Sequence, residues 1–184
     1  MTDQEITQEQ FNELLSDAEY LLDEAEALKY VIDAVPYSET PTDGMSIYNM
    51  LKLIDHAQVN YYRPITEKVF AENRLVKLSD FEHYQNTFEE ITDEDEINIQ
   101  KTLSKIIKHR AALINVFKSI SLIDWERSLR GERGESIILF DFAQKMIRDE
   151  RKILKEIADL VHIYQNERQH QREINKKASE QKSS

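Results

Sequence analysis

The sequence predicts an all-α fold, a four-helix bundle with a short extra helix between the second and third long helices. Three observations predict it. Apolar residues recur at helical spacing over four long stretches. Helix-capping residues stand ahead of several of them. Three glycines and three prolines in 184 residues are too few for the tight turns of an all-β fold.

Thr7-x-x-Gln10 reads as a capping box. Behind it Phe11, Leu14, Ala18, Leu21, Ala25, Leu28 and Ile32 keep one stripe, which predicts a first helix over about 8–34. Pro36 and Pro41-Thr-Asp-Gly44 make a loop. The second helix starts near Met45 with Ile47, Met50, Leu51, Ile54, Ala57, Tyr61 and Ile65 inward. Pro64 lies inside this pattern, so a kink is expected near Asn60 before the helix ends at about Asn73. Ser79-Asp-Phe-Glu82 predicts a short helix to about Glu90, and Thr92-Asp-Glu-Asp95 a third long helix over about 93–120.

Leu103, Ile106, Leu113, Ile114, Phe117 and Ile120 face inward on that third helix, and Arg110 falls on the same face. Ser121–Glu135, with Trp125, Gly131 and Gly134, reads as a loop. Ser136 is the expected cap of the fourth helix, which runs to Tyr164. Its stripe of Leu139, Ala143, Met146, Ile153, Ile157 and Val161 is broken by Glu150. After Tyr164 the chain holds charges and amides with almost nothing to bury. The expected organisation is one bundle over 1–167, then a polar tail over 168–184, frayed or disordered.

Charge and composition remove whole classes. A net charge of −11 repels nucleic-acid phosphates, so no nucleic-acid partner is expected. The acidic run before Lys29 reads as a solvated helix face, or else as a docking surface for a basic partner. With no cysteine there is no disulfide, thiolate metal site or cysteine nucleophile. No apolar run approaches the ~20 residues of a membrane span. The acidic start, MTDQEITQEQ, is unlike a signal peptide, so a cytoplasmic location is expected. No phosphate loop, dinucleotide fingerprint, H-E-x-x-H or G-x-S-x-G motif is present.

Four features resemble a known group. These are the passage TDGMSIYNMLKLIDHAQVNYY, the tryptophan-containing loop DWERSLRGERGES, the segment RDERKILKEIADLV, and the length and order of the helices. Together they resemble the DinB/YfiT-like superfamily of metal-binding helical bundles, over about residues 8–164. The resemblance implies one divalent ion held by three histidines, one from the second helix and two from the fourth. Aligned on that pattern, Leu53, Asp149 and Ile153 occupy the three ligand positions. Two apolar side chains and one carboxylate do not make a metal site. No metal or other cofactor is therefore expected. A weak alternative takes His56 with Asp149 after a shift in register. His56, however, lies roughly 160° from the centre of its helix's apolar stripe, on the solvent side. His83, His109, His162 and His170 are scattered and read as exposed polar groups.

Candidate pocket residues are Leu53, Tyr61, Arg110, Trp125, Asp149, Glu150 and Ile153. Arg110 and Glu150 either pair inside the bundle, near Asp149, or snorkel past the edge of the stripe. Tyr48, Tyr61, Tyr62 and Trp125 either line a small-molecule pocket or pack the core. Three functions stay open. One is a dimeric bundle that lacks the metal and binds a small molecule or a protein. The second, implied by the resemblance, is a thiol transferase or hydrolase dependent on nickel, zinc or iron. The third is an interaction module using the acidic face of the first helix.

Overall fold

The first helix begins where its capping box sets it. In the computed structural model, which describes residues 5–92 and 97–182, α1 spans Gln8–Val31. The Thr7 hydroxyl accepts from the Gln10 amide, and the Gln10 side chain accepts from the Thr7 amide. The irregular stretch through both early prolines ends at Ser46, whose hydroxyl caps α2, Ile47–Ala57.

The helix does not stop there. It widens into one π turn, Gln58–Tyr62, and continues as α3, Arg63–Ala71. Pro64 has no amide hydrogen and its ring crowds the preceding turn. The expected kink near Asn60 takes the form of this wider turn. Because a π turn holds an extra residue, adjacent side chains come inside together. Ala57 with Gln58, and Tyr61 with Tyr62, are all buried.

Several boundaries differ from expectation. Ser79 caps nothing: a 3-10 turn occupies Leu78–Asp80, and the extra helix is one turn, α4, Tyr84–Thr87, capped by the His83 side chain. The third long helix is α5, Ile99–Ser119, capped by Asn98. The cap expected over Thr92–Asp95 falls largely outside the described residues.

The stretch read as a loop before the last helix carries strands. β1 (Val76–Lys77) pairs in parallel with β2 (Ser128–Arg130), which pairs antiparallel with β3 (Ser136–Ile138). Ser136 therefore faces Arg130 in a ladder and is no helix cap. Strands of two and three residues are too short to show a period in sequence. The reversal between β2 and β3 relies on Gly134, whose φ of 85° suits glycine. Helix α6, Leu139–Lys182, follows directly. Over the stretch expected to be a frayed helix or disordered, the helix continues to Lys182, with every residue from Gln165 to Lys182 exposed. No helix among the described residues is long and apolar enough to cross a membrane.

α1 packs against α5 and α6, and α2 packs against the same two helices. α1 and α2 thus hold opposite corners of the bundle, as do α5 and α6. The core falls into two blocks. One, built on Leu14, Leu113, Phe117, Trp125 and Met146, lies at the sheet end. The other, built on Leu21, Leu51, Ile106, Leu154 and Ile157, lies at the far end. Ile153, expected inward, is only half-buried, and Leu154 takes the core position.

Trp125 is wholly buried, with its ring against Phe11, Phe117 and Phe140. It packs the core and lines none of the clefts described below. Trp125→Ala is expected to cost about 3–5 kcal/mol, the usual range for a large aromatic removed from a core. Chemical denaturation checks it, and a loss under ~1 kcal/mol would contradict the packing.

Candidate functional site

The α5 stripe alternates Ile106, Arg110, Leu113, so a guanidinium is carried to the bundle axis by the same spacing that buries its apolar neighbours. Arg110 is 0 % exposed and Glu150 of α6 is 5 % exposed. The two form an internal ion pair, Nη2 to Oε1. Arg110 Nη1 donates to the Ala18 carbonyl of α1 at 3.2 Å. Its Nε donates to Gln58 Oε1, in the π turn, at 3.0 Å. One side chain thereby touches all four helices, in a polar layer between the two apolar blocks. Burial pushes the Glu150 carboxyl above the usual carboxylate range, and the Arg110 charge pulls the other way. Gln58 carries no advance signal in sequence, since its inward direction depends on the π turn.

The positions that the resemblance assigns to metal ligands hold no ligand set. Leu53 is buried in the sheet-end block, and Ile153 packs beside it. Asp149 Oδ2 accepts from the Tyr62 hydroxyl at 3.3 Å and from Lys145. His56, expected on the solvent side, is half-buried, with its ring 5.7 Å from that of Phe88. Asn60 Nδ2 donates to His56 Nδ1 at 3.0 Å, which leaves His56 Nε2–H to donate to Thr87 Oγ1 at 3.0 Å. Among the described residues no three His, Cys, Asp or Glu side chains group as a metal site requires. The donors present do not fit the divalent ion.

His109 is not the exposed polar group expected from sequence. It is half-buried, with Nδ1 2.6 Å from Asp55 Oδ1 on α2. His162 is exposed and hydrogen-bonds with Asn166 at 3.1 Å.

A cleft of about 300 Å³ opens at the sheet end of the bundle. Tyr61, Tyr62 and Phe142 form its apolar wall, with His83 beside them. The Tyr61 and Tyr62 rings meet edge to face at 5.1 Å, and His83 lies 5.2 Å from Tyr61. Lys145 and Arg148 of α6, and Glu132, Arg133 and Glu135 from the turn between β2 and β3, supply charge. Burial pushes the Tyr61 phenol up to about 12. It pushes Tyr62 further in the same direction, with the charge of Asp149 adding to it.

Of the sequence candidates, Tyr61 lines this cleft, and Asp149 reaches it through Tyr62. Arg110, Glu150 and Leu53 lie in the core, and Trp125 lies apart. Sequence reasoning missed His83, Phe142, Lys145, Arg148 and the turn after β2. They come from separate elements that only the fold brings together.

No protein-family model matches the chain, and no curated protein sequence matches it. Among solved structures it is similar to YfiT from Bacillus subtilis, a probable metal-dependent hydrolase with an unusual four-helix bundle topology. The two share 12 % identity over 88 % of this chain and 91 % of that one, with a TM-score of 0.70. At that identity the likeness shows the fold, and the chain has a YfiT-like four-helix bundle.

Two expectations follow from the buried groups. Arg110→Ala strands the Glu150 charge and is expected to cost about 3–5 kcal/mol in denaturant unfolding. Arg110→Met combined with Glu150→Leu should recover most of that loss, and a double variant no better than the single would argue against the pair. Absorbance titration of the tyrosines should show a late phase above the ordinary phenol value of ~10. The sign is set by the raised folded-state values: the neutral phenols support the fold below pH ~10, and that support is lost as pH rises through about 12. A single tyrosine phase centred near ~10 would contradict the burial of Tyr61 and Tyr62.

Proposed function

We propose that the protein is a cytoplasmic bundle without a catalytic divalent metal. It binds a small molecule with an apolar, planar body and an anionic group in the cleft of Tyr61, Tyr62 and Phe142. The observation that carries this reading is the pairing, in one cleft, of an aromatic wall with a guanidinium. Arg148 stands at the cleft with no hydrogen-bond or ion-pair partner among the described residues. An aromatic wall supplies contact area, and one guanidinium fixes the orientation of an acid. The hydroxyl of Tyr62 is committed to Asp149, which keeps its ring in place against Phe142.

The second reading is the metal-dependent hydrolase, or thiol transferase, that the shared fold favours. It needs a ligand set that Leu53, Asp149 and Ile153 do not supply.

Titration with 1-anilinonaphthalene-8-sulfonate tests the first reading. Saturable, one-to-one fluorescence enhancement is expected, weakened at least ~5-fold (about 1 kcal/mol) in Arg148→Ala. Enhancement indifferent to Arg148 would count against the cleft. Stoichiometric nickel, zinc or iron in the purified protein would put the second reading in its place.

A further inference from the structure

The aromatic cleft carries charge of both signs, and the signs are sorted along it. Asp141, Lys145 and Arg148 of α6 all line it. Seven residues make nearly two full turns of a helix, so Asp141 and Arg148 share one face, about 10 Å apart along the axis. Asp141 lies in the first turn of α6. The turn between β2 and β3 lines the same cleft and brings Glu132 to it. The Glu132 charge adds to burial in raising the Tyr61 phenol, as a carboxylate beside the aromatic wall must.

Other charges of the cleft are already engaged. The Glu135 carboxylate turns back to accept from the Arg133 amide at 3.0 Å. Lys145 is paired with Asp149 at 2.5 Å. The side chains of Glu132, Arg133, Asp141 and Arg148 are exposed and have no hydrogen-bond or ion-pair partner among the described residues. Two carboxylates against the one guanidinium of Arg133 leave the turn end acidic, while Arg148 stands beyond it. A carboxylate in the first turn suits the helix dipole, which accounts for Asp141 by itself. Glu132 has no such role. All of these groups are open to solvent and so within reach of a ligand in the cleft.

We propose that the ligand of this cleft is a small aromatic zwitterion, with an ammonium group at one end of its ring and a carboxylate at the other. This rests on the reading above, in which Arg148 takes the acid, and adds the opposite end. The ammonium donates to Glu132 and Asp141, the ring lies on Tyr61, Tyr62 and Phe142, and the carboxylate accepts from Arg148. Helical side chains lean toward the N-terminus, so the Arg148 guanidinium comes back toward Asp141 and shortens the span toward the length of one substituted ring. A volume of about 300 Å³ suits a ligand of that size.

Calorimetric titration of the full-length protein with 4-(aminomethyl)benzoate, 4-methylbenzoate and benzylamine tests the assignment. The zwitterion is expected to bind at least ~4-fold tighter than 4-methylbenzoate (about 0.8 kcal/mol), a margin of the size exposed ion pairs supply. Glu132→Gln, on an exposed turn, should narrow that margin. Glu132→Gln combined with Asp141→Asn should bring the two affinities together. Arg148→Ala should weaken both acids alike. If 4-methylbenzoate binds through Arg148 and the zwitterion binds no tighter, the inference is overturned and the acid-binding reading stands. A margin that survives the double variant overturns it too, because the ammonium then sits elsewhere. Benzylamine as tight as the zwitterion, or no saturable binding by any of the three, would sink the inference and that reading together.

Discussion

A cation that cannot give up its charge stands on the axis of this bundle, and the rest of the structure is arranged to receive it. Arginine stays protonated at any pH a protein survives. Once α5 carries Arg110 inward, compensation must come from the neighbouring helices. Glu150 supplies the countercharge from the opposite corner, Ala18 a backbone oxygen, and Gln58 a side-chain oxygen. Apolar side chains of similar size tolerate small slips of one helix past another. A buried guanidinium with three acceptors in fixed directions does not, so the layer sets the register in which the two apolar blocks meet.

The π turn belongs to the same arrangement. Without its extra residue Gln58 would not face the guanidinium while Ala57 also packs inward. The same turn places Tyr61 and Tyr62 side by side and buries both. Their rings then become the wall of the aromatic cleft, and the Tyr62 hydroxyl reaches Asp149. A proline one turn further on thus connects the polar centre of the core to the cleft at its end.

YfiT and this chain share a four-helix bundle fold. Leu53 and Ile153 are apolar, and Asp149 is held by Tyr62 and Lys145. The buried charges of this chain lie deeper in the bundle, in the Arg110–Glu150 pair. Among the clefts open to solvent are the aromatic one, where Arg148 has no ion-pair partner among the described residues, and a smaller groove lined by Gln58 and His109.

Much of this was legible in the residues. The apolar stripes located four long helices, Thr7 stood at the start of the first, and Arg110 and Glu150 announced themselves by interrupting stripes. Local periodicity carries that information because each helix reports its own buried face. Whether those two charges would pair or reach for water depended on which helices share a corner, and the connectivity that decides it is absent from any single stripe. The strands at 128–130 and 136–138 are too short for a pattern and exist through one another and Val76. Gln58, His83, Arg148 and the Asp55–His109 pair likewise acquire meaning from neighbours in space that lie tens of residues away in sequence. Sequence determined the helices and the presence of two misplaced charges, because those are properties of neighbours along the chain. Tertiary structure alone decided where the charges went and where the clefts opened, because those are properties of neighbours across it.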